Sequence, residues 1–270
     1  MPRNPWLVHG HDSFDLSKVD PGSTEGAPGD KRGTADTIDA LQKRLFALQE
    51  RLWAEGTRSL LVVLQGLDTG GKDGTIRHVF QGVNPAGVRV TSFKAPSEEE
   101  RKHDFLWRVH RAVPAAGEVG IFNRSHYEDV LIVRVHGWVP DAVWRARYDA
   151  INDFERHLTE AGTTIVKFWL HISPEEQAKR LRARLDAPEK RWKFNADDIE
   201  ERKHWTDYMA AAAEMLARTS TDEAPWYVVP ADHKWYRNWV VSTVLTDTLA
   251  TMDPQYPTVK DLGEVVIPDV

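Results

Sequence analysis

The sequence predicts an α/β protein in which a parallel sheet is covered by helices on both faces. Five short runs rich in apolar residues alternate along the chain with longer segments of helical periodicity, an order typical of a parallel sheet. The first run, Leu60 to Leu64, contains consecutive rather than alternating apolar residues. Such a run indicates a strand that is buried on both faces, because helices pack on each side of a parallel sheet.

The elements follow from composition and spacing, taken in chain order. Residues 1–34 are rich in Gly, Pro, Ser and Asp, and they predict an extended arm lying on the body or on a neighbouring subunit. A helix capped by Thr34 or Asp36 is expected to run to about Glu55. Its apolar face consists of five residues at helical spacing: Ile38, Leu41, Leu45, Leu48 and Leu52.

The remaining elements complete one predicted domain, residues 35–255. Strands are expected at 60–64, 88–93, 119–122, 164–170 and 226–229. Further helices are expected at 72–83, 98–111, 141–161, from Pro174 onward, at 196–218 and at 234–252. Residues 256–270 are expected to form a C-terminal tail.

Composition excludes several classes of function. The chain has 270 residues, 41% hydrophobic and 28% charged, which is typical of a globular protein. Its net charge of −6 argues against a general nucleic-acid partner. No apolar run approaches the length of a membrane span, and the N-terminus lacks the apolar segment of a secretory signal, so we expect no membrane partner and a cytoplasmic location. The absence of cysteine excludes disulfides, thiolate metal sites and cysteine nucleophiles.

A glycine-rich turn follows the first predicted strand. Gly66, Gly71 and Lys72 stand at the spacing of the phosphate-binding loop, or P-loop, G-x-x-x-x-G-K. Glycines let the backbone curl so that its N–H groups point at an anion, and the following helix and the lysine add positive charge. The alternative interpretation is a strand-turn-helix junction whose glycines serve only the turn.

Two acidic residues distinguish this loop from the usual pattern. Asp73 occupies the position of the Ser or Thr whose hydroxyl normally holds Mg²⁺, and Asp68 lies inside the loop. A carboxylate repels phosphate, so Asp68 is interpreted as the ligand of a divalent cation that bridges to phosphate.

Two further polar patches are predicted at the same edge of the sheet, where ligands bind in open parallel sheets. Lys94 follows the second strand, and the charged segment from Asn123 to Asp129 follows the third. Arg124 can bind phosphate oxygens in a bidentate manner, and Glu128 or Asp129 can complete a metal site. The alternative is a solvated strand end with a helix cap at Ser125. His126 is interpreted as a packing residue rather than a general base.

A basic segment is predicted to form a lid over about residues 174–203. Between positions 179 and 193 the sequence contains two acidic residues and seven basic ones: Lys179, Arg180, Arg182, Arg184, Lys190, Arg191 and Lys193. Arg180 and Arg184 share one helix face and Leu181 and Leu185 another, which predicts a helix anchored by leucines with exposed arginines. Pro188 breaks the segment, as expected for a two-piece lid that closes over phosphates. An ordinary exposed basic face is the alternative.

These parts suit phosphoryl transfer, which depends mainly on positioning and charge neutralisation. No protein nucleophile is required when the acceptor is a phosphate oxygen, since that oxygen is ionised at neutral pH. The candidate catalytic residues are Asp68, Lys72, Asn123, Arg124 and Arg184. The candidate phosphate-binding residues are Gly66, Gly70, Gly71, Lys72, Asp73, Gly74, Lys94, Arg180, Arg184, Arg191 and Lys193. The candidate metal ligands are Asp68 and Glu128.

The chain resembles the type-2 polyphosphate kinases. The resemblance rests on segments 66–74, 123–130, 191–194, 201–203, 224–232 and 234–238, and it covers about residues 35–255. It implies a P-loop kinase-like, thymidylate-kinase-like core with a helical lid, Mg²⁺ as cofactor with Mn²⁺ as an alternative, inorganic polyphosphate as donor and a nucleotide as acceptor. It also implies roles for Asp68, Lys72, Arg124 and Arg184, and it suggests a homo-oligomer.

The form of the third-strand motif resembles one class of that family. Many relatives carry Asp where this chain has Asn123, and Trp where it has His126. The Asn-Arg-Ser-His-Tyr-Glu form resembles the third class, whose members phosphorylate nucleoside mono- and diphosphates. Two rival functions are an ATP-dependent nucleotide kinase of the same fold and a non-catalytic nucleotide or polyphosphate sensor.

Overall fold

The computed structural model describes residues 4–10, 13–258 and 268, without the side chains of Lys190 and Lys193. Its strands are β1 (Ser59–Gln65), β2 (Val88–Ser92), β3 (Val119–Asn123), β4 (Thr163–His171) and β5 (Trp226–Pro230). They form one sheet in the order β2-β3-β1-β4-β5, and every neighbouring pair is parallel. The predicted α/β fold is confirmed, with each strand within one residue of its predicted bounds.

Helices connect and cover the strands. They are α1 (Ala35–Glu55), α2 (Lys72–Val79), α3 (Trp107–His110), α4 (Ile132–Val135), α5 (Asp141–Glu160), α6 (Pro174–Asp186), α7 (Asp197–Glu201), α8 (Trp205–Thr219) and α9 (Lys234–Met252). In the part of the chain that the structure describes, no helix has both the length and the apolar composition needed to cross a bilayer.

Three predicted helices were too long. Residues 98–111 contain a 3₁₀ turn (Glu100–Lys102) and the short α3, because the intervening His103 is extended. Residues 196–218 divide into α7 and α8 at a 3₁₀ turn (Arg202–His204), where Arg202 donates to the Pro174 carbonyl of α6 (3.1 Å) instead of lying on a continuous helix. The helix after the P-loop ends at Val79 rather than near residue 83.

Alternate residues of β1 enter two separate apolar cores. Leu60, Val62 and Leu64 lie in the core formed with α1 and α9, whereas Leu61 and Val63 lie in the core formed with α5 and α8. All seven residues of β1 are buried. This central position places the loop after β1 at the middle of the carboxyl edge of the sheet, where the strand order reverses and ligands bind in this type of fold.

The N-terminal segment lies against the outer edge of β5. Leu7 forms an antiparallel bridge with Tyr227, and Val8 N–H donates to the Trp226 carbonyl (2.9 Å). Tyr236 of α9 donates its hydroxyl to the Glu25 carbonyl (2.6 Å), which fixes a later part of the segment. These contacts cover an edge that would otherwise present unpaired backbone groups. Most of the predicted C-terminal tail, residues 259–267 and 269–270, lies outside the described residues.

A buried polar network lies below the loop that follows β3. Lys167 of β4 and Glu155 of α5 form an ion pair at 2.5 Å, with 0% and 2% of their side chains exposed. Lys167 also donates to the Tyr127 hydroxyl (2.8 Å) and to the Thr219 carbonyl (2.7 Å). The Tyr127 hydroxyl donates to Glu155 (2.7 Å), and the ring of His126 lies 3.3 Å from the same carboxylate. His126 is therefore a packed, hydrogen-bonded residue, as predicted.

We expect Glu155→Ala to lower the free energy of unfolding by about 3–5 kcal/mol, because it leaves the Lys167 charge buried without a partner. Chemical or thermal unfolding of the purified variant measures this effect. Asp153→Ala is the matched control, since Asp153 lies on the same helix and pairs with Arg156 at an exposed position. Equal stability losses in the two variants would show that the buried pair has no special role.

Candidate active site

The loop after β1 has the backbone geometry that its glycines predict. Gly66 has φ = 149°, and a Cβ at this position would lie 2.8 Å from the Leu170 carbonyl oxygen. Gly71, which precedes α2, has φ = 107°. Thr69 has a positive φ of 63°, which is uncommon for a residue with a side chain. The loop therefore approaches β4 closely and turns tightly into the N-terminus of α2.

Lys72 folds back over this loop. Its Nζ donates to the carbonyls of Gly66 (2.6 Å) and Leu67 (3.2 Å), and only 8% of the residue is exposed. Burial and the charge of Arg124 lower the pKa of Lys72 to about 8. Lys72 thus carries most of its charge at neutral pH in a position where an anion would stabilise it.

The loop after β3 brings Arg124 to the P-loop. Arg124 has φ = 60°, and its guanidinium contacts the Asp68 carboxylate directly. Its other terminal nitrogen lies 3.6 Å from Glu128. Burial would raise the pKa of Asp68, but Lys72 and Arg124 outweigh it and lower that pKa. Asp68 is therefore ionised at neutral pH and fixed between two cations.

The two candidate metal ligands share Arg124 as a neighbour. Glu128 also accepts a hydrogen bond from Gln65 Nε2 (2.9 Å). Among the described residues, no group of three or more His, Asp or Glu side chains could hold a metal ion by itself. Mg²⁺ commonly uses one or two carboxylates together with substrate phosphates and water, so Asp68 and Glu128 fit that mode of binding.

Asn123 lies beside the first turn of α2. Its side-chain amide donates to the Asp73 carboxylate at 2.7 Å. Asp73 therefore has a hydrogen-bond donor from the neighbouring strand, although it replaces the usual hydroxyl residue of a P-loop. The contact joins two residues whose roles the sequence predicted separately.

A cavity separates the P-loop from the predicted lid. Its floor includes Asp68, Arg124 and Glu128, and an apolar wall adds several large side chains: Leu131, Ile132, Trp169, Trp205 and Tyr208. The lid side contributes four polar residues: Gln177, Asp198, Glu201 and Arg202. The buried indole nitrogen of Trp169 has no hydrogen-bond partner among the described residues. The cavity thus has a charged end at the P-loop and an aromatic end beneath α8.

The helix of the lid is oriented differently from the prediction. Arg180 is buried and donates through all of its nitrogens, to Glu176 and to four backbone carbonyls: Thr69, Gly70, Ala231 and Asp232. Leu185, by contrast, is 41% exposed. The prediction that leucines anchor this helix and that its arginines are exposed is confirmed for Leu181, which is buried, but it was wrong for Leu185 and Arg180, because Arg180 uses its donors to hold the P-loop from behind.

Arg184 of α6 lies beside an acidic residue of α7. Its guanidinium is 3.3 Å from Asp198 of α7, and its charge acts on Asp68 to help lower the pKa of that carboxyl. Burial and the nearby charge of Asp68 raise the pKa of Asp198. Arg184 is thus close to the P-loop acid and is held by an acid of the lid.

Three other candidates lie apart from this group. Lys94 is exposed beyond β2, the outermost strand, and its carbonyl accepts from Arg108 (2.7 Å). Arg191 is exposed and donates to the Leu185 carbonyl (2.7 Å). The Lys193 side chain lies outside the described part of the structure. No contact in the described residues joins Lys94 or Arg191 to the P-loop.

Sequence reasoning missed the lid-side residues of the cavity. Tyr208 donates its hydroxyl to Glu201 (2.6 Å), which also contacts His136 (3.0 Å). Arg202 donates to Gln177 (2.5 Å). The segment 201–203 carried part of the family resemblance, and this was the available signal for Glu201 and Arg202.

Comparison with known proteins shows the family of the chain. The family model for polyphosphate kinase 2 (PPK2) matches residues 29–257. An AMP/ADP-polyphosphate phosphotransferase of Meiothermus ruber is 53% identical over 94% of this chain and 95% of its own length. An ADP-polyphosphate phosphotransferase of Rhodopseudomonas palustris is 47% identical over 80% of this chain and 78% of its own.

A solved structure gives the same result at the level of the fold. The crystal structure of polyphosphate kinase 2 from Arthrobacter aurescens TC1 superposes with a TM-score of 0.91, at 49% sequence identity. The match covers 96% of this chain and 92% of that one. The family that the sequence resembles is thereby confirmed, and this chain belongs to the polyphosphate kinase 2 family.

Proposed function

We propose that this protein transfers a phosphoryl group from inorganic polyphosphate to AMP and ADP with Mg²⁺. The observation that carries the proposal is the meeting of a P-loop, Arg124 and an ionised Asp68 at one end of a cavity that has an aromatic wall. The high identity to an AMP/ADP-polyphosphate phosphotransferase supports both acceptors.

In this proposal, the P-loop holds the donor. The turn at Gly71 and the N-terminus of α2 provide backbone N–H groups and a positive dipole, and Lys72 adds a charge over the loop. Arg124 neutralises charge that develops on the transferred group, since it reaches the loop from β3. An acceptor phosphate is already ionised, so no residue is assigned as a general base.

We assign Asp68 and Glu128 as the residues that would hold Mg²⁺. When bound, the ion would neutralise negative charge on the phosphate groups. Arg124 contacts both carboxylates and keeps them near the P-loop. Mn²⁺ could take the same oxygen ligands.

The lid is proposed to complete the site. Residues 174–203 carry Arg184, which we assign to the transferred phosphoryl group, within a catalytic domain of residues 35–255. The pairing of Arg184 with Asp198 supports this role, because it holds the arginine near Asp68 before substrate arrives. Homo-oligomeric assembly and a cytoplasmic location belong to the same proposal and rest on family resemblance.

Product analysis tests the function directly. The protein is incubated with Mg²⁺ and polyphosphate, and with AMP, ADP or no nucleotide, and the nucleotides are resolved by chromatography. We expect ADP and ATP from AMP, and ATP from ADP. Formation of products only when ATP replaces polyphosphate as donor would instead identify an ATP-dependent nucleotide kinase, and no turnover with either donor would indicate a sensor.

Asn123→Asp is expected to alter the preference between acceptors. The change places a carboxylate oxygen against Asp73 in a contact that measures 2.7 Å with the amide, and it adds negative charge near the acceptor. We expect kcat/KM for AMP and ADP to fall unequally, with the ratio changing on the order of tenfold. Steady-state kinetics with each acceptor measure the ratio.

A double variant that exchanges the residues at positions 73 and 123 provides the control. The double variant Asn123→Asp with Asp73→Asn keeps the total charge and restores one amide and one carboxylate. We expect it to recover part of the lost activity. An unchanged AMP-to-ADP ratio in Asn123→Asp would exclude a specificity role for this position.

Arg184→Ala should lower turnover far more than it weakens nucleotide binding. A positioned arginine contributes on the order of 10³–10⁵ to rate in other phosphoryl-transfer enzymes. Arg182→Ala is the matched control, because Arg182 lies on the exposed side of the same helix. Turnover is measured at saturating substrate and nucleotide affinity by calorimetry. Similar losses in both variants would mean that the helix acts only through bulk charge.

A further inference from the structure

Arg237 is a buried arginine packed against the P-loop. It lies in the first turn of α9 and is 2% exposed. A Cβ at Gly71 would come within 1.9 Å of its Nη1 atom, and a Cβ at Gly74 within 3.4 Å of its Nη2 atom. The two glycines therefore leave the space that the guanidinium occupies beside the start of α2.

The described residues give Arg237 no anionic partner. Its Nε and Nη2 atoms contact the neutral amide oxygen of Asn238 (3.2 and 2.8 Å). Among the described residues, no ion pair joins the guanidinium to a carboxylate, and the neighbouring charge that acts on its pKa is the like charge of Arg180. Burial and the charge of Arg180 lower the pKa of Arg237 to about 9. At neutral pH the group is still protonated, so within the described residues this buried positive charge has a neutral amide oxygen but no acidic partner.

The neighbouring Arg180 shows the contrast. It is also buried behind the loop, but it pairs with Glu176 at 2.9 Å and donates to four carbonyls. An isolated buried charge is strongly unfavourable unless a counter-charge approaches it. The contrast indicates that Arg180 stabilises the fold, whereas the charge of Arg237 is available to interact with a bound anion.

The surroundings of Arg237 favour an anion in the P-loop. The first hydrogen bond of α2 joins Thr75 N–H to the Gly71 carbonyl (2.9 Å), so the helix does not use the N–H groups before Thr75. Arg237 lies in the first turn of α9 and its guanidinium lies beside the start of α2, so the positive ends of both helices are near it. Burial lowers the pKa of His78, and the charges of Arg77, Arg237 and Lys234 lower it further, so the positive field continues along α2 and α9.

We propose that Arg237 is a positioning residue for the polyphosphate donor, whose phosphate groups at the Gly71–Lys72 turn supply the counter-charge that the described residues do not provide. The proposal rests on the proposed function and adds a residue to its donor site. It predicts opposite effects of one substitution. Removing the charge of Arg237 should maintain or raise the stability of the unliganded protein and should weaken its binding of the polyanion.

The test uses tripolyphosphate as the probe and the full-length protein. Melting temperature without ligand, and affinity for tripolyphosphate and for AMP, are measured for wild type, Arg237→Met and Arg237→Lys at one fixed salt concentration. For Arg237→Met we expect an unliganded melting temperature equal to or above that of wild type. We also expect tripolyphosphate affinity reduced on the order of tenfold, and AMP affinity within about twofold of wild type. Arg237→Lys should retain most of the tripolyphosphate affinity.

Three outcomes would overturn the proposal. Unchanged tripolyphosphate affinity in Arg237→Met would show that the charge does not act on the donor. A clear fall in the unliganded melting temperature, or failure to fold, would show that Arg237 is a structural residue. If wild type itself binds no tripolyphosphate, the proposed function fails together with this inference, whereas the first two results leave that function intact.

Discussion

The contact between Arg124 and Asp68 joins the loops that follow β1 and β3, and the geometry of the site depends on it. Each loop contains one non-glycine residue whose backbone is in the left-handed conformation: Thr69 in the first and Arg124 in the second. Such a conformation persists only where the surrounding structure enforces it. The Arg124 guanidinium also lies near Glu128, so one cation keeps two acids at the mouth of the cavity. Below the second loop, the ion pair of Glu155 and Lys167 fixes Tyr127 through hydrogen bonds. A rigid core thus supports a strained, charged surface.

The local charge of the site is opposite to that of the whole chain. The protein carries a net charge of −6, yet several cations surround the P-loop: Lys72, Arg124, Arg180 and Arg237. Only some of them have acidic partners within the described residues. In the proposed function, a polyanion bound at this loop would stabilise these positive charges, which are otherwise unfavourable in a buried position. The acids of the lid, Asp198 and Glu201, lie across the cavity rather than inside the loop.

The sequence predicted the strands well because each is an apolar run bounded by turn residues, which is a local signal. The P-loop was equally clear, since the spacing of Gly66, Gly71 and Lys72 is itself the structural requirement. The orientation of α6 could not be predicted, because its pattern offers both a leucine face and an arginine face. The burial of Arg180 depends on carbonyl groups of the P-loop and of the loop after β5, which are far away in sequence. The place of Arg237 likewise depends on how α9 packs on α2.

The claim that the P-loop holds the phosphoryl donor is tested most directly by the turnover of Lys72→Met with polyphosphate and ADP. Methionine keeps an apolar stem in the buried position and removes only the charged group that lies over Gly66 and Leu67. We predict that ATP formation falls on the order of 10³-fold, while thermal unfolding stays close to that of wild type. Turnover close to that of wild type in a correctly folded Lys72→Met variant would contradict the assignment of this loop as the donor site.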